Sequence, residues 1–403
     1  MNMMDIQAYL NQQRSRLQQQ SMHVKDYRVF DFAYVPDEPM IRPETRVVVD
    51  ALLRFDMTGV PTNLLVLGGR GSGKTLTLKY LCGIMPKQAS LEMRYVNCRH
   101  HNTSHRILAE LMGGRCQGLS LGDLYQRLIK AHAGKRLCLV LDEVDMMSAK
   151  DRRREVLYLL SRAETPVMLV LLSNNHRIAD QLDAATRSSL QLSTMLFRGY
   201  SPDQIESILR SRAQEGLTRW DPATLMEIAA RTVRHTHADA RVAIKTLFYL
   251  VTRSYAPPPE SPAPPVPPHP PGTPGSRKHK NSHDSASEHS PGAEVEAAFR
   301  IARRDIVLDM VNDLNDGLLL ILWAVVAGES CLAKDIYERY CRFSRQYHEP
   351  PFSYVHYYAS LAFLQSCGLV ALISTKLGRA YTNRVEATFD GTVVEPIVKL
   401  RFV

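Results

Sequence analysis

The sequence predicts an α/β domain built on a parallel β-sheet, followed by a small all-helical unit and a C-terminal α+β unit. Three observations lead to this prediction. Apolar runs of strand length alternate with helical patterns up to about residue 200, helical periodicity continues from 201 to 254, and helices followed by two strand-like segments end the chain. At 403 residues the chain is long enough for two or three separate cores.

Four apolar runs are the candidate strands of the α/β domain. They are NLLVLG (63–68), MRYVNC (93–98), RLCLVLDE (136–143) and PVMLVLLSN (166–174). The segments between them, TLTLKYLCGI, SHRILAELMG, LGDLYQRLIKAHA and RREVLYLLSRA, have helical periodicity. Continuous apolar strands that alternate with helices are typical of a parallel sheet covered on both faces.

The remaining segments divide the chain further. Ser201 stands as a helix N-cap with Pro202 at the first helical position, which begins a helical lid over 201–255. Residues 256–292 hold 12 of the 23 prolines and no Leu, Ile, Met or aromatic residue, so we predict a disordered linker with a polyproline-like first half. The full predicted division is an N-terminal extension (1–29), an α/β core (30–200), the lid (201–255), the linker (256–292) and a last domain (293–403).

The last domain has the element order of a winged helix. A helix near 294–312 precedes three helical segments, DGLLLILWAVVAG, AKDIYERYCRFSRQYH and SYVHYYASLAFLQSCG. Two strand-like pieces, LVALIS and AYTNRVEATF, then form a hairpin. Helices followed by a hairpin in about 100 residues fit this fold.

The charge and the cysteines narrow the possible partners and compartments. The net charge is +9, with +10 in residues 1–255 and −1 in 304–403, which favours a polyanionic partner and requires any C-terminal DNA contact to use a local patch. Seven single cysteines without a CxxC pair indicate reduced thiols. No signal-peptide core and no run of about 18 apolar residues occurs. We expect a soluble intracellular protein in the cytoplasm or nucleoid, or in the nucleus of a eukaryote, without a membrane partner.

The segment GGRGSGKT matches the phosphate-binding (Walker A) pattern GxxxxGK[ST], and it lies after a strand and before a helix. Backbone N–H groups of such a loop turn toward phosphates, and the helix N-terminus adds partial positive charge. We expect Lys74 to reach the β- and γ-phosphates and Thr75 to bind Mg²⁺. The other residues of the loop are Gly68, Gly69, Arg70, Gly71, Ser72 and Gly73.

Further polar residues follow strands or begin a helix. Asp142 is placed to hold Mg²⁺ through water, and Glu143 to polarise an attacking water. Asn174 could orient that water, although asparagine is also a common turn residue. Arg241, near the start of a lid helix, could fold back onto the γ-phosphate, with an exposed lid arginine as the alternative.

These motifs resemble, in their order and spacing, the AAA+ replication initiators. That family comprises the archaeal origin-recognition/cell-division-control proteins and the related largest subunit of the eukaryotic origin recognition complex. The resemblance covers about residues 30–255 and 293–403. The segments that carry it are YVPDEPMIRPET, GGRGSGKT, YVNCR, LVLDEVD, LLSNN, LDAATRSSL and ADARVAI.

The resemblance implies an AAA+ P-loop ATPase domain with a helical lid, followed by a winged-helix DNA-binding domain. It implies ATP or ADP with Mg²⁺ as ligands, and origin duplex DNA, further initiator subunits or copies of the chain, and a replicative helicase as partners. GGRCQGLSLGDLYQRLI (113–129) resembles an initiator-specific insertion that contacts the minor groove, which makes Arg115 a candidate. The implied nucleotide roles are adenine contact for Val35 and Pro36, a position near the nucleotide for Arg42, first and second sensors for Asn174 and Arg241, and for Arg187 a finger that reaches a neighbouring subunit's ATP.

The recognition-helix position is occupied by FSYVHYYASLAFLQ. Its first turns offer Ser353, Tyr354, His356 and Tyr357 to a major groove, while Val355, Leu361 and Leu364 are expected to face the core. The wing, STKLGRAYTNR, carries Lys376, Arg379 and Arg384 without an acid, so we expect phosphate contacts there. A well-packed aromatic helix and a solvated basic hairpin tip are the alternatives.

Three functions fit these features. The first is an ATP-dependent initiator that marks an origin and helps to load a helicase, with ATP as a slowly hydrolysed conformational ligand. The second is a P-loop regulatory switch whose winged helix docks protein and whose linker recruits a partner. The third is a clamp-loader-like subunit, although that family ends in a helical collar. The insertion and the basic wing favour the first.

Overall fold

The structure, a computed structural model, describes residues 23–36, 39–114, 116, 118–148, 151, 154–236, 238–252, 291–377 and 380–402, with 6–7, 10–11 and 14–15 near the N-terminus. Three sequence predictions therefore lie outside the described residues: the linker up to residue 290, Arg115 and Arg379. The side chains of residues 375–382, Lys376 among them, are also outside the description.

The N-terminal part is a five-stranded sheet in the order β2-β3-β4-β1-β5, and every neighbouring pair is parallel. Four strands were predicted, and the edge strand β5 was not. It was missed because it pairs only with β1 and most of its residues are exposed, so it has no continuous apolar run. The strands are β1 (Leu64–Gly68), β2 (Leu91–Asn97), β3 (Arg136–Asp142), β4 (Val167–Ser173) and β5 (Ser193–Phe197).

Both faces of the sheet are covered, as the apolar strands predict. Alternate residues of β1 enter two different cores: Leu65 and Leu67 on one face, Leu64 and Val66 on the other. All five residues of β1 are buried, and so are all seven of β4. The covering helices are α1 (Pro43–Thr58), α2 (Lys74–Gln88), α3 (Ser104–Leu111), α4 (Leu121–Ala131), α5 (Glu155–Ser161) and α6 (Ala184–Leu190).

The lid consists of helices α7 (Pro202–Gly216), α8 (Pro222–His235) and α9 (Ala240–Thr252). Its first helix begins at the predicted cap, where the Ser201 and Gln204 side chains form a capping box. The segment before the core also belongs to this unit. The buried Arg212 guanidinium donates to the Val29 carbonyl, so residues 23–36 pack on the lid rather than on the sheet.

The C-terminal part has the predicted winged-helix order. Its first helix begins at Pro291, one residue before the predicted end of the linker, and packs on both the lid and the C-terminal core. A last helix was not predicted. The elements are α10 (Pro291–Asn312), α11 (Asp316–Val326), α12 (Ala333–Gln346), α13 (Tyr354–Ser366), the antiparallel pair β6 (Val370–Leu377) and β7 (Ala380–Ala387), and α14 (Val394–Phe402).

Ion pairs attach α10 to the lid. Lys245 of α9 lies 3.4 Å from the Asp305 carboxylate, and the Tyr249 hydroxyl donates to the same carboxylate. Arg231 of α8 pairs with Glu296. In the described part of the chain, no helix is long and apolar enough to cross a membrane.

Candidate nucleotide and DNA sites

The phosphate loop joins β1 to α2 through two glycines that the backbone requires. Gly71 and Gly73 have φ of 70° and 86°, a left-handed conformation that side chains disfavour. A Cβ on Gly71 would collide with the Asp239 carboxylate, and one on Gly73 with the Tyr200 hydroxyl. The loop is therefore closely covered by residues on its lid side, and its turns depend on glycine.

Lys74 begins α2 and points back into the loop. Its Nζ donates to the carbonyls of Gly68 and Gly69 at 2.8 and 2.9 Å, and to Asn174 Oδ1 at 2.9 Å. Burial lowers the pKa of Lys74 to about 8, although Asp142 acts in the opposite direction. A buried, partly desolvated ammonium favours an anionic ligand, because phosphate would restore the charge partner that water supplies elsewhere.

Asp142 ends β3 and accepts two hydrogen bonds on one oxygen. Thr75 Oγ1 donates to Asp142 Oδ2 at 2.7 Å, and the Tyr95 hydroxyl donates to the same atom at 2.8 Å. Thr75 and Asp142 thus lie together, as a shared Mg²⁺ site requires. Tyr95, at the neighbouring strand β2, positions the carboxylate and was not singled out from the sequence.

Glu143 follows in a left-handed conformation, with φ of 53°. Such a backbone is disfavoured for glutamate and is common at functional sites. Burial raises the pKa of Glu143 and Asp142 adds to the rise, while the Arg99 guanidinium lowers it. A carboxylate with a raised pKa beside the phosphate loop suits a group that accepts a proton from water.

Asn174 immediately follows β4, and its amide oxygen accepts from Lys74. Its position is fixed by neighbours: the Ser173 hydroxyl donates to Asp145 Oδ1 at 2.6 Å and accepts from the Asn175 backbone. Asn174 therefore lies among the phosphate-loop residues, where the predicted sensor role requires it.

These groups line one cavity of about 430 Å³ between core and lid. Val35 and Pro36 are on its wall, together with the apolar lid residues Ile208 and Ile244, and their contact with adenine stays a prediction. Arg42 also lines it, but its guanidinium donates to the carbonyls of Ser72 and Arg198, each at 2.8 Å. Arg42 thus stabilises the phosphate loop through its hydrogen bond to the Ser72 carbonyl.

The predicted second sensor and finger lie in different places. Arg241 lines the cavity, but its guanidinium is paired with Asp239, with Nη2 2.5 Å from Oδ2. Arg187 of α6 is exposed, does not line its own chain's cavity, and donates to the Leu182 carbonyl at 3.2 Å. The finger role of Arg187 toward another subunit stays a prediction.

The cavity fits a nucleoside triphosphate with Mg²⁺. The loop provides backbone N–H groups and a helix N-terminus, Lys74 provides a cation, and Thr75 with Asp142 provides oxygen ligands of the kind Mg²⁺ prefers. Apolar side chains line the wall away from the phosphate loop, as a base requires. The arrangement can bind a triphosphate and activate a water at its terminal phosphate.

The recognition helix α13 corrects two predictions. Tyr357 was expected to face DNA, yet it is fully buried and its hydroxyl donates to the Ala333 carbonyl at 2.9 Å. Val355 was expected to face the core, yet it is 81% exposed. Leu361 and Leu364 are buried as predicted, and Tyr357 lies four and seven residues before them, so helical spacing places it on the same buried face.

The other described residues of the predicted DNA surface are exposed, as DNA contact would require. Tyr354 and His356 are exposed, and the His356 ring stacks on Phe352 with centroids 4.0 Å apart. Ser353 is exposed, but its hydroxyl caps the helix by accepting from the His356 backbone. In the wing, Arg384 lies 2.6 Å from Glu386, an acid just beyond the predicted basic segment, so its charge is partly neutralised.

Fold and site together define a P-loop domain with a helical lid, followed by a C-terminal winged helix. A family model described as an AAA domain matches residues 59–182. ORC1-type DNA replication protein 1 of Aeropyrum pernix is 31% identical over 235 residues, 53% of this chain and 59% of that protein. ORC1-type DNA replication protein 3 of Sulfurisphaera tokodaii is 29% identical over 243 residues, 56% of this chain and 62% of that protein. The aligned region therefore covers less than two thirds of these relatives.

Solved structures extend the likeness to the whole fold. The Aeropyrum pernix ORC1 protein in complex with DNA has a TM-score of 0.65 at 24% identity, covering 95% of this chain and 98% of that one. The Aeropyrum pernix ORC2 protein, in ADPNP and ADP complexes, has a TM-score of 0.60 at 20% identity, covering 94% and 99%. The predicted fold class and the resemblance to archaeal ORC1-type AAA+ initiators are confirmed.

Sequence reasoning missed several residues of the cavity region, among them Tyr95, Arg99, Asp239 and Asp313. Tyr95 and Arg99 flank the end of β2, Asp239 lies on the lid, and Asp313 follows α10. The first two stand in YVNCR, a segment noticed for its resemblance but not for its side chains. Asp313 had no sequence signal, because its partner Arg99 is more than 200 residues away along the chain.

Proposed function

We propose that this chain is an ATP-dependent DNA replication initiator that binds duplex DNA at origins. The observation that carries the proposal is the composition of the cavity wall: residues of the ATPase core and lid face Asp313, which belongs to the winged-helix part. A nucleotide there would contact both the ATP-binding and the DNA-binding units. The names of the relatives, DNA replication proteins and an ORC1 protein in complex with DNA, support the same function.

The chain's own residues divide the work in the cavity. Lys74 and the backbone of Gly71 to Gly73 hold the phosphates, and Thr75 with Asp142 hold Mg²⁺, which neutralises phosphate charge when bound. Glu143 accepts the proton of an attacking water, and Asn174 orients that water. Val35 and Pro36 bind the base.

Hydrolysis by a single chain is expected to be slow. Asp239 holds the Arg241 guanidinium, and Arg187 points away from its own cavity. Neither arginine is free to stabilise charge on the terminal phosphate until the lid rearranges or a second subunit arrives. The proposal therefore includes assembly with copies of the chain or related subunits, and recruitment of a replicative helicase by the assembled form.

DNA binding is tested by titrating the purified chain with origin and scrambled duplexes, with ATP, with ADP and without nucleotide. We expect tighter binding to the origin duplex, a dependence on nucleotide, and a linear fall of log K with log salt of roughly one unit per phosphate contact. Binding with no salt dependence and no duplex preference would contradict the proposal.

One observation favours an alternative in which the winged helix docks protein. The exposed tip of α13 presents Val355 and Tyr354, both largely apolar, and its first turn has no cation. Such a surface also suits a protein partner. The salt titration separates the two functions, because a protein-docking surface would leave duplex binding weak at every salt concentration.

A further inference from the structure

An ion pair crosses the nucleotide cavity between the ATPase core and the winged-helix part. Arg99, just beyond β2, lies with its Nη2 3.0 Å from Asp313 Oδ2. Both residues line the cavity. Among the described residues, it is the only ion pair between the ATPase core and the segment that follows the linker.

Both partners of this pair are held by their backbones. On the C-terminal side, the Arg401 guanidinium donates to the carbonyls of Asn312 and Leu314, which flank Asp313. On the core side, the Arg99 backbone N–H donates to Asn97 Oδ1 at 2.8 Å. Both backbones are therefore anchored within their own unit, so the contact between the two side chains links the core to the winged-helix part.

Arg99 lies at the catalytic end of the cavity. Its guanidinium acts electrostatically on Glu143, the residue assigned to the attacking water. A terminal phosphate bound beside Glu143 would thus be within the electrostatic range of Arg99, while Asp313 would present a like charge to it. The pair contains one group that attracts the phosphate and one that repels it.

We propose that Arg99 is a ligand for the terminal phosphate of ATP, and that Asp313 pairs with Arg99 until ATP binds. ATP binding therefore breaks the contact between the core and the winged-helix part. This inference rests on the proposed ATP binding. The Arg99 and Asp313 side chains are 34% and 49% exposed, and an ion pair that exposed is weak because solvent screens it. Arginine–phosphate contacts are stronger than such an exposed ion pair and are often bidentate, so Arg99 should bind the phosphate in preference to Asp313.

The two partners then have opposite effects on nucleotide affinity. Asp313→Asn removes a competitor and a like charge, so ATP should bind up to about fivefold more tightly. Arg99→Gln removes a phosphate ligand, so ATP should bind at least about tenfold more weakly. ADP lacks the terminal phosphate, and its affinity should change much less in the arginine variant.

Asp316→Asn is a matched control. Asp316 has the same charge and the same 49% exposure as Asp313, but it pairs with Arg401 inside the winged-helix part and does not line the cavity. Fluorescent ATP and ADP analogues would give the dissociation constants. Spin labels on non-natural residues at Met57 and Leu400, which are 79% and 89% exposed, would report the distance between core and winged helix.

We expect ATP to lengthen or broaden the label distance in the wild type, and Asp313→Asn to do so without nucleotide. If Arg99 served only as a structural latch, Arg99→Gln and Asp313→Asn would change ATP affinity in the same direction, which would overturn the proposal. Equal affinities and distances for Asp313→Asn and Asp316→Asn would do so too. Arg99→Lys, which keeps the charge, should retain part of the affinity. A wild type that binds no ATP would instead refute the proposed function.

Discussion

Lys74 illustrates how a single residue links burial to ligand binding. Its ammonium is buried among carbonyls and Asn174, and burial lowers its pKa to about 8. A bound phosphate would raise that pKa again, because an opposite charge favours the protonated form. Proton uptake and nucleotide binding are therefore coupled at this residue.

We expect nucleotide affinity to be nearly constant below about pH 7 and to fall above pH 8, by up to about tenfold per pH unit. The sign follows from the pKa of Lys74, because a bound phosphate raises it and the protonated ammonium binds phosphate more tightly than the neutral amine. Calorimetry at pH 8 in buffers of different ionisation enthalpy should detect an uptake of about half a proton. Proton release on binding would contradict this assignment of Lys74.

Glu143→Gln should preserve ATP binding and reduce hydrolysis at least about a hundredfold, because glutamine cannot accept the proton of the attacking water. The change keeps the size of the side chain and the left-handed backbone position. Phosphate release under single-turnover conditions measures the effect, with equilibrium ATP binding as the control. Hydrolysis at the wild-type rate would assign the water to another group.

At the scale of elements, the phosphate loop depends on glycine at some positions and not at others. Gly71→Ala places a side chain in a left-handed backbone and against Asp239, which should cost at least about 1 kcal/mol of unfolding free energy and weaken ATP binding. Gly69→Ala is the comparison, because nothing lies within 4 Å of an added Cβ there. Thermal unfolding and ATP titration of both variants test the contrast, and equal losses would refute it.

The recognition helix separates residues that read DNA from residues that hold the fold. Tyr354→Ala with His356→Ala should narrow the affinity gap between origin and scrambled duplexes, since these side chains are exposed on the first turn. Tyr357→Phe loses a buried hydrogen bond and should cost about 1 kcal/mol of stability without changing specificity. Duplex titrations and thermal unfolding distinguish the two outcomes. A specificity change in Tyr357→Phe would contradict the buried orientation.

The ion pair of Arg384 in the wing lowers the phosphate contact expected of this residue. Arg384 is paired with Glu386, so Arg384→Ala should flatten the salt slope of duplex binding by less than the roughly one unit expected of an unpaired arginine. Glu386→Gln is the complementary variant and should steepen it. Salt titrations of both measure the change, and unaltered slopes in both variants would exclude a phosphate contact by Arg384.

In the whole molecule, the lid and the winged-helix part are connected by the linker and also pack against each other. Helices α9 and α10 run antiparallel, since Lys245 and Tyr249 contact Asp305 and Lys245 also approaches Asp309. The α10 start at Pro291 therefore lies beyond the α9 end by about 11 residues, or roughly 16 Å.

Replacing residues 257–289 by eight Gly/Ser residues should leave the thermal midpoint nearly unchanged. Eight residues reach about 27 Å when extended, which spans the gap between the helices. The proline-rich segment has too few apolar residues to add to either core. Differential scanning calorimetry measures the effect, and a loss of several degrees would show that this segment stabilises the fold.

The elements that depend on a local sequence pattern could be predicted from the sequence alone. Apolar runs predicted four strands, the glycine and lysine spacing predicted the phosphate loop, and strand ends placed Asp142, Glu143 and Asn174 at one edge of the sheet. These predictions succeeded because strand burial and loop geometry are encoded within a few neighbouring residues.

The contacts between residues that are distant in the sequence could be identified only from the tertiary structure. The approach of Asp239 to Gly71, the Tyr95 contact with Asp142, and the approach of Asp313 to Arg99 join residues from separate elements. Such contacts depend on how finished elements assemble, and no local spacing specifies that assembly.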